Sequence, residues 1–124
     1  LTYRALDQLV GRGLVDPVAS EQGVAGGQRT ILDITPTGRG LLQGWLAEPV
    51  RHLRDLRSEL LLKLLLCRMC AVDEQPLLRR QQEVVERMAA VLGTHADDDV
   101  VAVWRSESSQ AALRFVARLL ARYA

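Results

Sequence analysis

A mainly helical chain with one small β-hairpin is what this sequence predicts, and three observations carry that reading. Apolar residues recur at helical spacing over most of the length, a glycine-rich polar stretch at 20–28 separates two short segments of strand character, and no tract is compositionally degenerate. The chain has 124 residues, enough for one domain or two small lobes, which argues against a large enzyme. Hydrophobic residues make up 48% and charged residues 25%, the balance of an ordinary globular protein rather than of a disordered one.

The elements follow in order. Leu1 to Arg12 reads as a helix with Tyr3, Leu6, Leu9 and Val10 on one face and Arg4, Asp7 and Gln8 opposite. It already alternates apolar and charged positions at its first residues, so it resembles neither a signal peptide nor a natural start, and the chain reads as entering a folded unit partway. Gly13 suits the helix end, where glycine adopts the left-handed conformation at low cost. Leu14–Ala19 and Arg29–Ile34 read as strands around the tip 20–28. Thr35-Pro36 is a helix start, because the threonine oxygen caps free amides and proline at the first helical position loses no bond. That helix should run to about Ala47, where Glu48-Pro49 stops it.

Further on, Leu60 to Leu66 is apolar on nearly every side and is interrupted only by Lys63, the single lysine. At that length it falls far short of the roughly 20 residues that span a bilayer, so no membrane partner is expected. From Pro76 to Leu92, Leu77, Val84, Met88 and Val91 form a heptad-like seam supported by Leu78, Val85 and Leu92. A last helix starting near Asp99 or Ser106 places Leu113, Val116, Leu120 and Tyr123 on one stripe. These seams exceed what so short a lobe covers by itself, which points to a homodimer, with an intramolecular bundle of the same periodicity as the simpler alternative.

Helix, strand, flexible tip, strand, helix is the order of the latter part of a winged helix-turn-helix. The stretch Tyr3-Arg4-Ala5-Leu6-Asp7-Gln8-Leu9-Val10-Gly11-Arg12-Gly13-Leu14-Val15, then Arg29 and the Ile34-Thr35-Pro36-Thr37-Gly38 turn, resembles the PadR family of transcription regulators. Trp45-Leu46 and the segment from Arg54 to Leu64 continue the likeness into the start of that family's C-terminal helical region. Thr2, where an aliphatic residue is usual, and Leu32, where an aromatic is common, depart from the pattern.

The resemblance implies residues 1–49 as an incomplete winged-helix DNA-binding domain lacking its first helices. It implies 50–124 as an all-α dimerisation domain. It further implies a cytoplasmic repressor that binds double-stranded DNA as a homodimer on a palindromic operator, with two reading helices about 34 Å apart. The alternative is a helical protein-interaction module that pairs subunits without binding DNA of its own. Charge does not support DNA reading: residues 1–48 hold Arg4, Arg12, Arg29 and Arg39 against Asp7, Asp16, Glu21, Asp33 and Glu48, so this segment has no basic footprint.

The candidate DNA-binding residues are Tyr3, Arg4, Gln8 and Arg29. Arg4 and Gln8 lie one turn apart and both make two-pronged contacts to purine edges in suitable settings, although exposed helical Arg and Gln are more commonly solvated surface. The resemblance assigns the Tyr3 hydroxyl to a phosphate, while its ring suits the apolar face. Arg29, beside the tip, suits a phosphate or the minor groove, and Arg12 a helix end. Trp104 is a candidate effector pocket for a small aromatic molecule, against the plainer role of a packing anchor.

No catalytic set, cofactor or metal site emerges. Cys67-Arg68-Met69-Cys70 has the C-x-x-C spacing, but it closes an apolar helix and has no second pair, so buried or half-buried free thiols are expected. Asp97-Asp98-Asp99 reads as a solvated helix start, and Ser106, Ser108 and Ser109 as caps of the last helix rather than as nucleophiles.

Overall fold

The computed structural model describes residues 2–22, 27–94 and 99–124. It is mainly helical with one two-stranded antiparallel sheet, in the order α1 (Thr2–Gly11), β1 (Val15–Gln22), β2 (Gln28–Ile34), α2 (Pro36–Ala47), α3 (Leu61–Met69), α4 (Gln75–Gly93) and α5 (Val100–Leu120). A 3₁₀ turn at Leu53–Asp55 and a π turn at Leu56–Leu60 lead directly into α3, and a final 3₁₀ turn covers Ala121–Tyr123. Two compact units divide the chain at Trp45/Leu46.

In the first unit, α1 ends as expected at a left-handed Gly13, whose φ is 72°. The Leu14 amide donates to the Leu9 carbonyl and the Gly13 amide to the Val10 carbonyl, each at 3.0 Å, so two carbonyls that the helix end would orphan are satisfied. The strands pair from Val15↔Ile34 to Gln22↔Gln28, with a bulge between Pro17 and Ala19 that leaves Val18 exposed. Pro17 costs no ladder bond with a further strand, since a two-stranded sheet consists of edges. The hairpin reaches three residues beyond Ala19, further into the expected tip, because pairing continues through Glu21↔Arg29. Residues 23–26 of that tip lie outside the described residues.

Thr35 joins hairpin, turn and α2. Its hydroxyl donates to the Gly13 carbonyl at 2.7 Å and accepts from the Gly38 amide at 3.0 Å, and its amide donates to the Leu14 carbonyl at 3.0 Å. Thr35 and Pro36 thus occupy the capping and first helical positions the sequence assigns them. The unit's interior is shallow: among its described apolar side chains only Leu14 is buried.

The second unit has the larger core. Val50, Leu56, Leu60, Leu64, Leu77 and Leu78 meet Val85 of α4 and Val116 and Leu119 of α5, with Leu113 and Leu120 packed against them. The α4 seam holds at Leu77, Leu78, Val84 and Val85, but Val91 is 63% exposed and has left it. Gln81 takes a core position instead. It is fully buried; its Oε1 accepts from the Val50 amide at 2.7 Å and its Nε2 donates to the Val50 carbonyl at 2.8 Å. The amide side chain therefore serves an otherwise unpaired backbone segment as a neighbouring strand would.

The lysine that interrupts the apolar run is buried, while Leu61, Leu62, Leu65 and Met69 on the same helix are exposed. The carbonyls after α2 explain this. Lys63 Nζ donates to the Glu48 carbonyl at 2.7 Å, and Arg80 donates to the Ala47 carbonyl at 3.0 Å. A helix C-terminus presents unpaired carbonyls and partial negative charge, so cations there are favoured.

The last helix starts at Asp99, whose Oδ1 accepts from the Ala102 amide at 2.7 Å. The expected serine caps are therefore corrected: Ser106, Ser108 and Ser109 lie inside α5, and the buried Ser109 hydroxyl donates back to the Ser106 carbonyl at 2.8 Å. Asp97 and Asp98 lie outside the described residues.

Candidate functional site

On α1, Arg4 and Gln8 are both exposed and one turn apart, so they share an open face, while Leu6, Leu9 and Val10 turn partly inward. Tyr3 lies on the same helix, its side chain outside the described residues. Arg29 is exposed at the second position of β2, opposite Glu21 in the register, and Arg12 is exposed just past α1. The face that carries Arg4 and Gln8 can hydrogen-bond in two-pronged fashion, and the short α1–β1 turn fixes it to the hairpin through the Leu14–Thr35 bond.

In the second unit Trp104 is no core anchor. It is 69% exposed on α5 and lines an open groove of about 1150 Å3. Leu53, Leu56 and Leu60 form one wall, Val84 and Met88 of α4 a second, and Phe115 continues the α5 side below Trp104. Arg51, Arg54, Arg57, Arg87 and Arg105 also line it, together with His52, and none of the described lining residues is acidic. Among the described residues, Arg54 alone of the five has an ion-pair contact, a 4.0 Å approach to Asp55 with its own side chain 82% exposed. A contact that long and that solvated contributes little. Sequence reasoning singled out Trp104 and did not single out the arginines. Their one local signal is the three-residue spacing of 51, 54 and 57; Arg54 lies in the 3₁₀ turn Leu53–Asp55 and Arg57 in the π turn that follows it.

The C-x-x-C pair sits at the end of α3 with both thiols free; Cys67 is buried as expected, whereas the expected burial of Cys70 is corrected, since it lies just past the helix end and is exposed. Burial pushes the Cys67 thiol above its ordinary value, and the Glu74 carboxylate, Cys70 and Asp73 push it the same way. A thiol held protonated is a poor nucleophile and a poor ligand. Among the described residues no cluster of three or more His, Cys, Asp or Glu side chains is arranged to hold a metal ion.

Glu74, 5% exposed, joins the chain's end to the start of α4: its Oε1 accepts from Arg68 at 3.2 Å and from the Tyr123 hydroxyl at 2.5 Å. Its Oε2 is buried with no partner among the described residues. The hydrogen bond to Glu74 raises the Tyr123 hydroxyl above its ordinary value of 10.0. Since the folded state holds this proton more tightly than the unfolded chain, the contact contributes fully below about pH 10 and is lost as the pH rises beyond it. Tyr123→Phe is therefore expected to lower stability at pH 8 but to narrow its gap from the parent chain between pH 10 and 11. Guanidinium unfolding of both chains across that range measures this, and a pH-independent gap overturns it.

No known family model matches the chain, and no curated protein sequence matches it.

Proposed function

We propose that this chain carries the DNA-reading and subunit-pairing parts of a transcription regulator of the PadR type. In this reading α1 lies in the major groove with Arg4 and Gln8 toward base edges, and the hairpin rests against the backbone through Arg29. Tyr3 contacts a phosphate. The helical unit pairs two copies, so that the two α1 helices meet a palindromic operator whose occupation blocks transcription. The observation that carries the reading is the exposed Arg4–Gln8 face on a helix followed at once by a hairpin and a Thr-Pro-capped helix. The unpartnered apolar stripe of α3, Leu61, Leu62, Leu65 and Met69, supports the pairing. A small aromatic effector at Trp104 would act by favouring one arrangement of the dimer, which requires that it bind the two arrangements unequally.

Selection from a random duplex library with the intact protein is expected to enrich a palindrome. Arg4→Ala should then cost about 1–3 kcal/mol and relax preference at one position, whereas Arg29→Ala should weaken all sequences alike and lower the salt slope by about 1. Tyr3→Phe should also weaken binding across sequences. Fluorescence anisotropy reads all three, and unchanged affinities remove the assignments. Light scattering should give twice the monomer mass at micromolar concentration.

A second reading, a helical interaction module without DNA binding of its own, is favoured by the charge of residues 1–48, where five acids face four arginines. A dimer that enriches no sequence in the selection supports this second reading against the first.

A further inference from the structure

The groove beside Trp104 combines an apolar interior with a rim of one charge sign, and each part restricts the ligand. Its interior is mostly aliphatic, with Leu60, Val84, Met88 and Val91 among the lining residues and His52, Trp104 and Phe115 the aromatic rings among those described. Such a wall suits a flexible aliphatic chain at least as well as a flat ring system. The volume, about 1150 Å3, lies just above the roughly 300–1,000 Å3 usual for small-molecule sites, so a long tail fits. Exposure points the same way: Val91 at 63% and Trp104 at 69% leave apolar surface that a tail would cover.

The rim decides the head. Five guanidinium groups arrive from three segments: Arg51, Arg54 and Arg57 before α3, Arg87 on α4 and Arg105 on α5. With no carboxylate among the described lining residues, their fields add along an apolar-walled cleft, which repels cations and concentrates anions. Guanidinium matches carboxylate and phosphate oxygens in paired hydrogen bonds, which a neutral head does not offer. A second copy of the chain is a poorer complement through its α3 stripe, because Leu62, Leu65 and Met69 and the adjacent exposed Arg68 bring no negative charge, while Leu61 already lines the groove.

We infer that this groove binds a single-chain anionic amphiphile, an aliphatic tail lying along Val84, Met88 and Trp104 with a carboxylate or phosphate head held by the Arg51–Arg57 segment, Arg87 and Arg105. This keeps the effector role of the proposed function but puts an aliphatic amphiphile where that reading has a small aromatic molecule, and it rests on that reading only for its regulatory meaning. Binding itself requires neither DNA nor an operator.

The test uses the full chain and sodium dodecanoate below its micellar concentration. Calorimetry on the unmodified chain gives stoichiometry, and emission in a Trp45→Phe background, where Trp104 is the remaining tryptophan, reports the groove. Saturable binding at one dodecanoate per chain is expected, with a blue shift of Trp104 emission. Methyl dodecanoate and dodecyltrimethylammonium should bind at least tenfold more weakly. The paired variant Arg57→Glu/Arg87→Glu should lose at least tenfold for dodecanoate while keeping the parent circular dichroism and melting temperature.

Dodecyl phosphate binding like dodecanoate supports the same head chemistry. Equal binding of the three head groups, an unaffected arginine variant, or non-saturating uptake overturns the proposal. So does attachment to phosphatidylglycerol vesicles without binding of monomeric dodecanoate, or Trp104 emission already blue-shifted in a dimer that excludes the ligand. Because DNA is absent throughout, failure here is separate from failure of DNA recognition, which the library selection reads.

Discussion

Gln81→Leu is expected to lower the stability of the helical unit by about 4 kcal/mol, although it replaces a polar side chain in a core with an apolar one of similar size. Gln81 is fully buried and Val50 is 2% exposed. Leucine would leave the Val50 amide and carbonyl without the partners they have at 2.7 and 2.8 Å. Each buried group left unpaired costs about 1–3 kcal/mol, which outweighs the gain from a better transfer energy at position 81. Against a total stability of about 5–15 kcal/mol, the loss removes from about a quarter to most of it. Urea unfolding followed by circular dichroism measures it, and a change below about 1 kcal/mol would falsify the assignment. Gln81→Glu supplies a control with a distinct signature. A protonated carboxyl can both accept from the amide and donate to the carbonyl, whereas the carboxylate can only accept. That variant should therefore recover stability as the pH falls, opposite in sense to ordinary acid denaturation.

The same residue shows why the core was only partly legible. Elements set by local chemistry stand where the sequence puts them: Gly13 ends α1, Thr35-Pro36 begins α2 and Glu48-Pro49 follows its end at Ala47. Each depends on groups within a few residues. Gln81 and Lys63 were unreadable as core positions because their burial depends on partners 31 and 15 residues away. Hydropathy treats a glutamine or lysine as a surface residue, yet here both satisfy carbonyls at the chain's entry into the helical unit. The serines of α5 misled for the converse reason. They have capping chemistry, but Asp99 caps the helix a full two turns earlier, and a capping residue signals an end only when no better one precedes it.

The candidate site divides in the same way. Arg4 and Gln8 were assignable to one exposed face because helical periodicity alone fixes it. Trp104 stood out as a rare large side chain, but whether it packed inward or faced outward depended on the azimuth of α5, set by Val116 and Leu119 entering the core. The arginines around it come from three segments, and apart from the three-residue spacing of Arg51, Arg54 and Arg57 nothing in the sequence set these five apart from the other ten. Their shared groove is a property of packing, and a charge count that balances to +1 over the chain conceals it.

Gly38→Ala is expected to disrupt the first unit while the second stays folded. A Cβ at this position would stand 2.0 Å from the Leu14 carbonyl oxygen and 2.9 Å from Ile34 Cγ1. The first of these is backbone, and it cannot withdraw cheaply: the same oxygen accepts from the Thr35 amide at 3.0 Å, and Thr35 in turn holds Gly13 and caps α2 at Gly38 itself. One methyl group thus opposes the bonds that join the α1–β1 turn to the α2 start, at a cost of about 3 kcal/mol or more. The unit has little to set against that, since Leu14 is its one buried apolar side chain among those described. The core around Leu60, Leu78, Val85 and Val116 lies entirely within the second unit. Hydrogen exchange should therefore lose protection in β1, β2 and the start of α2 and keep it in α3, α4 and α5. Gly44→Ala separates the clash from helix propensity: its Cβ meets nothing within 4 Å, so alanine there should stabilise α2 by about 0.5–1 kcal/mol. Opposite signs for two identical substitutions on one helix are the expected result, and loss of protection in both units on Gly38→Ala would show instead that the two cores unfold together.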